Sequence, residues 1–290
     1  MIYKKFLKYI HYVNKGIPIV LSKFHNSKLF SPHIRISIFI ENLYAIINKR
    51  SIRFIFDKEK NLIKAIDKNL IRFYSDKNRC FWLYRDGIFE RGKFIQRSYC
   101  LTQIKFKRND IVVDCGANSG DLLIELNNYI DNGNYIGIEP NPLDFKVLKL
   151  NCPNQVLINK ALGNNNGNLN FYVATSEGDS SIIKPKVYEK IINVKVVKLD
   201  DLIKNLKVKK IKLLKIEAEG FEPEILEGAQ NIIPICEYIA IDGGYERGEK
   251  QEQTFTSITN TLIKNNFEIR DINFSWYRAL FKNSRDFKSI

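Results

Sequence analysis

Five carboxylates and one lysine stand where strand-like runs give way to turns: Asp114, Glu139, Lys215, Glu217, Glu219 and Asp242. Asp114 follows Ile111-Val-Val113, a β-branched run suited to a central parallel strand. It therefore sits at a strand's carboxyl end, where open α/β sheets place ligands. Gly116, Asn118 and Gly120 let the chain turn tightly and bring main-chain N–H groups close to a ligand. Leu122, Leu123, Leu126 and Ile130 recur at helical spacing, which predicts a helix from near Ser119 with its N-terminus facing the site. A dinucleotide fingerprint needs G-x-G-x-x-G. Here Gly116-x-Asn118-x-Gly120 leads into Asp121, whose carboxylate would repel a pyrophosphate. Asp114 suits a ligand ammonium, with the ligand's carboxylate on the helix N-terminus. Glu139, ending the run Tyr135-Ile-Gly-Ile138, can accept both hydroxyls of a ribose. An amino-acid head plus a ribose describes S-adenosylmethionine better than NAD; the competing reading is a nucleotide-free α/β core with ordinary turn residues.

The second cluster closes the run Ile211-Lys-Leu-Leu-Lys-Ile-Glu217. Strand alternation puts Leu213, Lys215 and Glu217 on one side, and Glu219 joins them if extension continues to Gly220. Three ionisable groups at one strand end are costly to bury without partners, which favours a site over a structural network. Asp242 ends the next apolar run, before Gly243-Gly244. With an activated sulfonium donor, positioning of the acceptor dominates, and a carboxylate beside the acceptor atom can remove its proton. Glu217 and Glu219 are the leading candidates for that base, and Asp242 is next. Lys215 would hold one carboxylate ionised or contact the acceptor. His11, His25 and His33 all precede the core, and no spacing marks a metal site.

The elements that must position these residues alternate from residue 110 onward. Strands at 111–113, 135–138, 156–158, 211–217 and 235–242 are separated by helices at 142–150, near Asp200-Asp201, and at 221–229. A helix at 254–263 precedes a closing antiparallel hairpin, 267–274 with 276–282. The runs 169–174 and 193–198 form an inserted strand pair bracketing the polar loop Glu177 to Ser181. This predicts an α/β fold: a seven-stranded sheet with its last pair antiparallel, helices on both faces, in a domain spanning 106–290. Residues 1–105 form a basic lead-in, predicted as helix 34–47, a further helix within 61–73, and strand-like segments around Phe81 to Tyr84.

Charge is concentrated in that lead-in. Residues 1–100 hold 21 Lys/Arg against 7 Asp/Glu, which accounts for the whole net charge of +14. Ile2, Phe6, Tyr9, Ile10 and Val13 recur at helix-compatible spacing among Lys4, Lys5 and Lys8, the pattern of a segment lying on an anionic membrane. The alternative is a biased composition packed on the core. No apolar run reaches the roughly 18 residues of a membrane span, and the first 24 residues lack the unbroken apolar stretch of a signal peptide. Five scattered cysteines without C-x-x-C give neither a disulfide framework nor a zinc site. A cytoplasmic protein, peripheral at the inner face of a membrane, is the expectation.

The order Val113-Asp-Cys-Gly-Ala-Asn-Ser-Gly120, Ile138-Glu-Pro-Asn-Pro142, Ala161-Leu-Gly163, Asp179-Ser-Ser181, Lys215-Ile-Glu-Ala-Glu-Gly-Phe-Glu222 and Ile225-Leu-Glu-Gly-Ala229 resembles the FkbM family of S-adenosylmethionine-dependent methyltransferases. The resemblance implies a class I methyltransferase fold, Rossmann-like. It implies that Asp114, Gly116, Ala117, Asn118 and Gly120 hold the methionine end of the cofactor. Glu139 would hold the ribose, the loop near Ala161 to Gly163, or Asp179 with Ser180, would lie by the adenine, and Asn141 belongs to the same cofactor-binding set. Glu217 and Ala218 depart from the family's usual Asp and Val. The implied acceptor is a sugar hydroxyl in a glycan, lipopolysaccharide or related metabolite. Two other readings use the basic region: a nucleic-acid methyltransferase, disfavoured because no RNA-binding motif appears, and a non-catalytic membrane-surface protein with a vestigial fold.

Overall fold

The computed structural model describes residues 34–174 and 180–285. The amphipathic run 1–13, the three histidines and Asp179 lie outside them. Helix α1 (Ile34–Ile47) packs on a three-stranded antiparallel meander of β1 (Arg53–Asp57), β2 (Leu62–Asp67) and β3 (Leu70–Tyr74). The stretch 61–73 is thus two strands, where the sequence pointed to a helix. Ile63 and Ala65 alternate inward with period two, and Asn61 and Lys68 take positive φ (55° and 54°) at the flanking turns, which a right-handed helix does not accommodate. The aromatic run at 81–84, expected in strands, is helical instead. It lies in α2 (Lys77–Tyr84), followed by α3 (Ile88–Ser98). The Asp76 carboxylate caps α2 by accepting the Arg79 N–H at 2.8 Å, and Cys80, Phe81 and Tyr84 share its buried side.

The larger sheet contains β4 (Val112–Cys115), β5 (Tyr135–Ile138), β6 (Val156–Ile158), β10 (Ile211–Ile216), β11 (Cys236–Asp242), β12 (Phe267–Asn273) and β13 (Arg278–Asn283). Helices α4 (Leu123–Leu126), α5 (Pro142–Asn151), α6 (Leu199–Asn205), α7 (Glu222–Glu227) and α8 (Phe255–Lys264) connect them. The order is β12-β13-β11-β10-β4-β5-β6, parallel from β11 to β6, with β13 antiparallel to both its neighbours. A side sheet, β7-β9-β8, is built from β7 (Ala161–Leu162), β8 (Gly167–Val173) and β9 (Lys190–Val197).

Alternation divides the core in two. Val113, Leu214, Ile216, Ile239 and Ile241 meet Ile225 and Leu226 of α7 and Ile258 and Leu262 of α8. Val112, Leu213 and Ala240 meet Ile95, Tyr99 and Leu126 on the other face. Each fully buried leucine or isoleucine stabilises the fold by roughly 2 kcal/mol. The N-terminal region therefore covers one face of the sheet through α3 and Tyr99. No described helix is long and apolar enough to cross a membrane.

Candidate active site

Parallel register sets Asp114 beside Lys215, and antiparallel register sets Asp242 beside Arg278. From these positions an ion chain of alternating sign runs across the strand ends. The Tyr135 hydroxyl donates to Asp114 at 2.6 Å. Lys215 Nζ donates to Asp114 Oδ1 and lies equally close to Glu217 Oε2, at 2.9 Å each. Arg278 donates to Glu217 Oε1 at 2.8 Å, to Asp242 Oδ2 at 2.6 Å and to Ser98 Oγ at 3.0 Å. The Tyr99 ring lies beneath both cations, its centroid 4.3 Å from the Arg278 guanidinium and 5.3 Å from Lys215. Opposite neighbours make burial of so many charges tolerable.

The chain sets proton affinities. Burial raises Asp114 above the usual carboxylate range even against Lys215 and Tyr135. Burial would raise Glu217 too, but Lys215 and Arg278 outweigh it and hold that carboxyl well below the usual range. Asp242 is raised by burial, and Arg278 only partly offsets this. Glu217 is thus a firmly ionised anchor, which weakens it as a proton acceptor. Asp242 is spent on Arg278 and on the Gly244 N–H. Arg278, Tyr135 and Tyr99 were not foreseen from the sequence. Only the strand register, Arg278 opposite Asp242, would have pointed to the first of them.

The turn after β4 is shaped by close approach. Gly116 has φ 78°, and a Cβ there would fall 1.9 Å from the Glu217 carbonyl oxygen. The turn's N–H groups, expected to face a ligand, are instead consumed within the protein. Gly116 and Ala117 both donate to the Ile138 carbonyl, Asn118 to Glu139 Oε2, Ser119 to Asn118 Oδ1 and Gly120 to the Ala117 carbonyl. Asn118 and Gly120 sit at positive φ (47° and 82°), so the helix expected near Ser119 begins only at Leu123. Gly120 packs against Cys152 and Leu148 rather than the cavity. Asn141 is the N-cap of α5, accepting the Leu143 N–H at 3.1 Å. Glu139 accepts the Asn118 and Asn141 N–H groups, both at 2.9 Å. Even so, burial and the nearby Asp144 push its carboxyl up to about 8.

Around these groups lies a cavity lined by Asp114, Gly116, Ala117, Asn118, Glu139, Ala161, Ser180, Lys215, Glu217 and Glu219. The strand ends and the side sheet thus bring most of the sequence-derived candidates together. Gly120, Asn141 and Asp242 support the wall from behind. The N-terminal region closes the cavity: Tyr74, Ser75, Asp76 and Arg79 also line it. Tyr74 donates to Asn118 Oδ1 at 2.9 Å, and Ser75 to Asp144 at 2.9 Å. Asp121, expected to repel a phosphate, is neutralised. Arg91 reaches it at 2.8 Å and Arg72 at 3.4 Å, with the Tyr84 hydroxyl as a third donor. Against burial, these cations bring its carboxyl down to about 2. Among the described residues no group of His, Cys, Asp or Glu could hold a metal ion.

Seven strands in this order, with one antiparallel strand next to the edge and an acid-lined cavity at the parallel strands' carboxyl ends, define a class I methyltransferase fold. Residues 114–269 match the Methyltransferase FkbM domain, and the chain belongs to that family. No curated protein matches it. An FkbM methyltransferase from Methylobacillus flagellatus KT is similar in structure, at 18% identity and TM-score 0.45, covering 67% of this chain. The match takes in only 50% of the Methylobacillus chain. Fibrillarin from Aeropyrum pernix, with natively bound S-adenosyl-L-methionine, is 14% identical over 64% of this chain and 72% of its own, TM-score 0.39. TrmK from M. capricolum, in complex with S-adenosyl-homocysteine, is 12% identical over 66% of this chain and 68% of its own, TM-score 0.39.

Proposed function

We propose that this chain transfers a methyl group from S-adenosylmethionine to a sugar hydroxyl carried on a glycan or glycolipid at an anionic membrane surface. The observation that carries the reading is the acid-lined cavity, at the carboxyl ends of β4, β5 and β10, in a chain of the FkbM family. Its residues fit the donor chemically. Glu139 stands where a ribose diol would find two carboxylate oxygens. The Asp114–Lys215–Glu217 chain places negative charge near a ligand ammonium and sulfonium. Ala161, Leu162, Phe171 and Ile182 give an apolar wall for a base.

The bound donor supplies an activated methyl; the protein's task is to align the acceptor oxygen and take its proton. Glu219 is the assigned base. It lines the cavity just beyond β10, whereas Glu217 is clamped between two cations and Asp242 is turned to Arg278. The membrane part of the reading rests on α1. Ile36, Phe39, Ile40, Leu43, Ile46 and Ile47 form an exposed stripe on it, and the first hundred residues hold 21 Lys/Arg against 7 Asp/Glu.

The test is incubation with methyl-labelled S-adenosylmethionine and a panel of glycans, glycolipids and structured RNAs. Label in the sugar fraction supports the reading. Label confined to RNA, or none anywhere, would overturn it.

A further inference from the structure

Among the described residues, two of the four cations that line the cavity are spent. Lys215 serves Asp114 and Glu217, and Arg91 serves Asp121. Arg79 is different. Its guanidinium lines the cavity, yet it makes no hydrogen bond or ion pair with a described residue; only its main-chain N–H is used, in the cap to Asp76. That cap fixes the root of the side chain at the start of α2. The guanidinium's charge acts on Tyr74, Glu219, Asp144 and Glu217, and Tyr74 in turn reaches Asn118 of the turn after β4, so Arg79 stands between that turn and the end of β10. Lys160, the other lining cation without a described ion pair, follows β6 and Asn159, next to Ala161.

We infer that Arg79 is the ligand for the carboxylate of the donor's methionine moiety, supplied by the N-terminal region from outside the matched family segment 114–269. This rests on the proposed use of S-adenosylmethionine. A zwitterionic head at this end meets acids for its ammonium, but its carboxylate has few main-chain donors. The N–H groups of Gly116, Ala117, Asn118, Ser119 and Gly120 are all engaged inside the protein. In a cavity so rich in carboxylates, an anion is held only by a facing cation. A guanidinium is suited to the task because its planar fork matches a carboxylate. Burial opposes its charge, but Tyr74, Glu219, Asp144 and Glu217 outweigh burial, and Arg79 stays protonated.

The test is calorimetric titration of the full chain, wild type, Arg79→Ala and Arg79→Lys, with three probes. S-adenosylhomocysteine carries the carboxylate, decarboxylated S-adenosylmethionine keeps only the ammonium, and 5′-methylthioadenosine lacks the whole amino-acid head. Arg79→Ala is expected to weaken S-adenosylhomocysteine by about tenfold to a hundredfold, from loss of a charge-assisted pair. It should leave 5′-methylthioadenosine unchanged and the dicationic decarboxylated S-adenosylmethionine unchanged or tighter, and Arg79→Lys should recover part of the loss. Both variants should remain folded, since the guanidinium makes no hydrogen bond or ion pair with a described residue. Equal affinity for S-adenosylhomocysteine in wild type and Arg79→Ala overturns the assignment while leaving the donor identity intact. Equal weakening of all three probes also overturns it, because the loss would not depend on the carboxylate. Failure of wild type to bind any probe removes the donor itself, and the inference with it.

Discussion

Two carboxylates in the cavity differ in what surrounds them, and that difference is testable. Glu217 faces Lys215 and Arg278, so replacing it takes one of two carboxylate partners from each of two buried cations. Glu217→Gln should therefore lower stability by about 3 kcal/mol, read as a reduced denaturant midpoint, because breaking a buried pair costs more than the pair contributes. Glu219→Gln, which keeps a hydrogen-bonding side chain of the same size, should instead retain S-adenosylhomocysteine affinity while turnover falls by about a hundredfold to ten-thousandfold. Full turnover in Glu219→Gln would move the base elsewhere. Glu139 yields a pH prediction. Its carboxyl is raised to about 8 in the free protein from an ordinary 4.5, so it is mostly protonated at neutral pH. A ribose diol donates to the ionised form, so binding releases a proton. Affinity for S-adenosylhomocysteine should therefore climb by up to about tenfold per pH unit below 8 and level off above it. Calorimetry over pH 6 to 9 checks this, with Glu139→Gln expected to give a flat, weaker profile. A flat wild-type profile would contradict the assignment.

At the level of elements, the turn between β4 and α4 should tolerate least. Gly116→Ala puts a methyl into the Glu217 carbonyl and asks an L-residue to adopt φ 78°, so both stability and cofactor affinity should collapse. Gly133→Ala, at φ 85° but with open space around it, should cost only about 1 kcal/mol and leave binding intact. Similar losses in both would show that backbone conformation, not the approach of β10, sets the requirement. The same contrast explains what the sequence could convey. The strands β4 and β5 were legible because a strand buried on both faces reads as an unbroken apolar run ending in an acid, and β10 and β11 because their apolar majority also ends in an acid despite Lys212, Lys215 and Glu237. The helices α5 and α8 were legible from periodicity, with Pro142 at the first turn of α5. The N-terminal meander was not. Asn61 and Lys68 occupy turns at positive φ without glycine to mark them, and buried Asp67 together with the adjacent buried pair Leu62 and Ile63 blurs the period of β2. Nor was the spending of the turn's N–H groups, since Ile138 and Glu139, which take them, lie about twenty residues downstream and meet the turn only once β5 is paired.

At the scale of the whole molecule, the N-terminal region has two faces of different chemistry. Its inner face is bolted to the sheet domain through Asp121 with Arg72 and Arg91, and through Asn151, which pairs with the Phe73 main chain. Its outer face carries α1, where Glu41 and Ala45 pack inward while the stripe from Ile36 to Ile47 is 42–67% exposed. The stripe's spacing of three and four residues keeps it on one side of the helix, with Arg35 and Lys49 at its ends. An exposed apolar stripe beside a strongly cationic segment matches the layered chemistry of an anionic bilayer, headgroup charge above acyl chain. The full chain should therefore sediment with phosphatidylglycerol vesicles at low salt, more weakly as salt rises, and not with phosphatidylcholine alone. Phe39→Glu with Ile46→Glu should cut that binding by at least about tenfold, since each apolar side chain inserted contributes roughly 1.5–3 kcal/mol. Affinity for S-adenosylhomocysteine should be unchanged in the same variant, because neither residue lines the cavity. Absence of binding to anionic vesicles, or binding insensitive to the double substitution, would separate the methyl-transfer site from any membrane role and return the acceptor to the soluble phase.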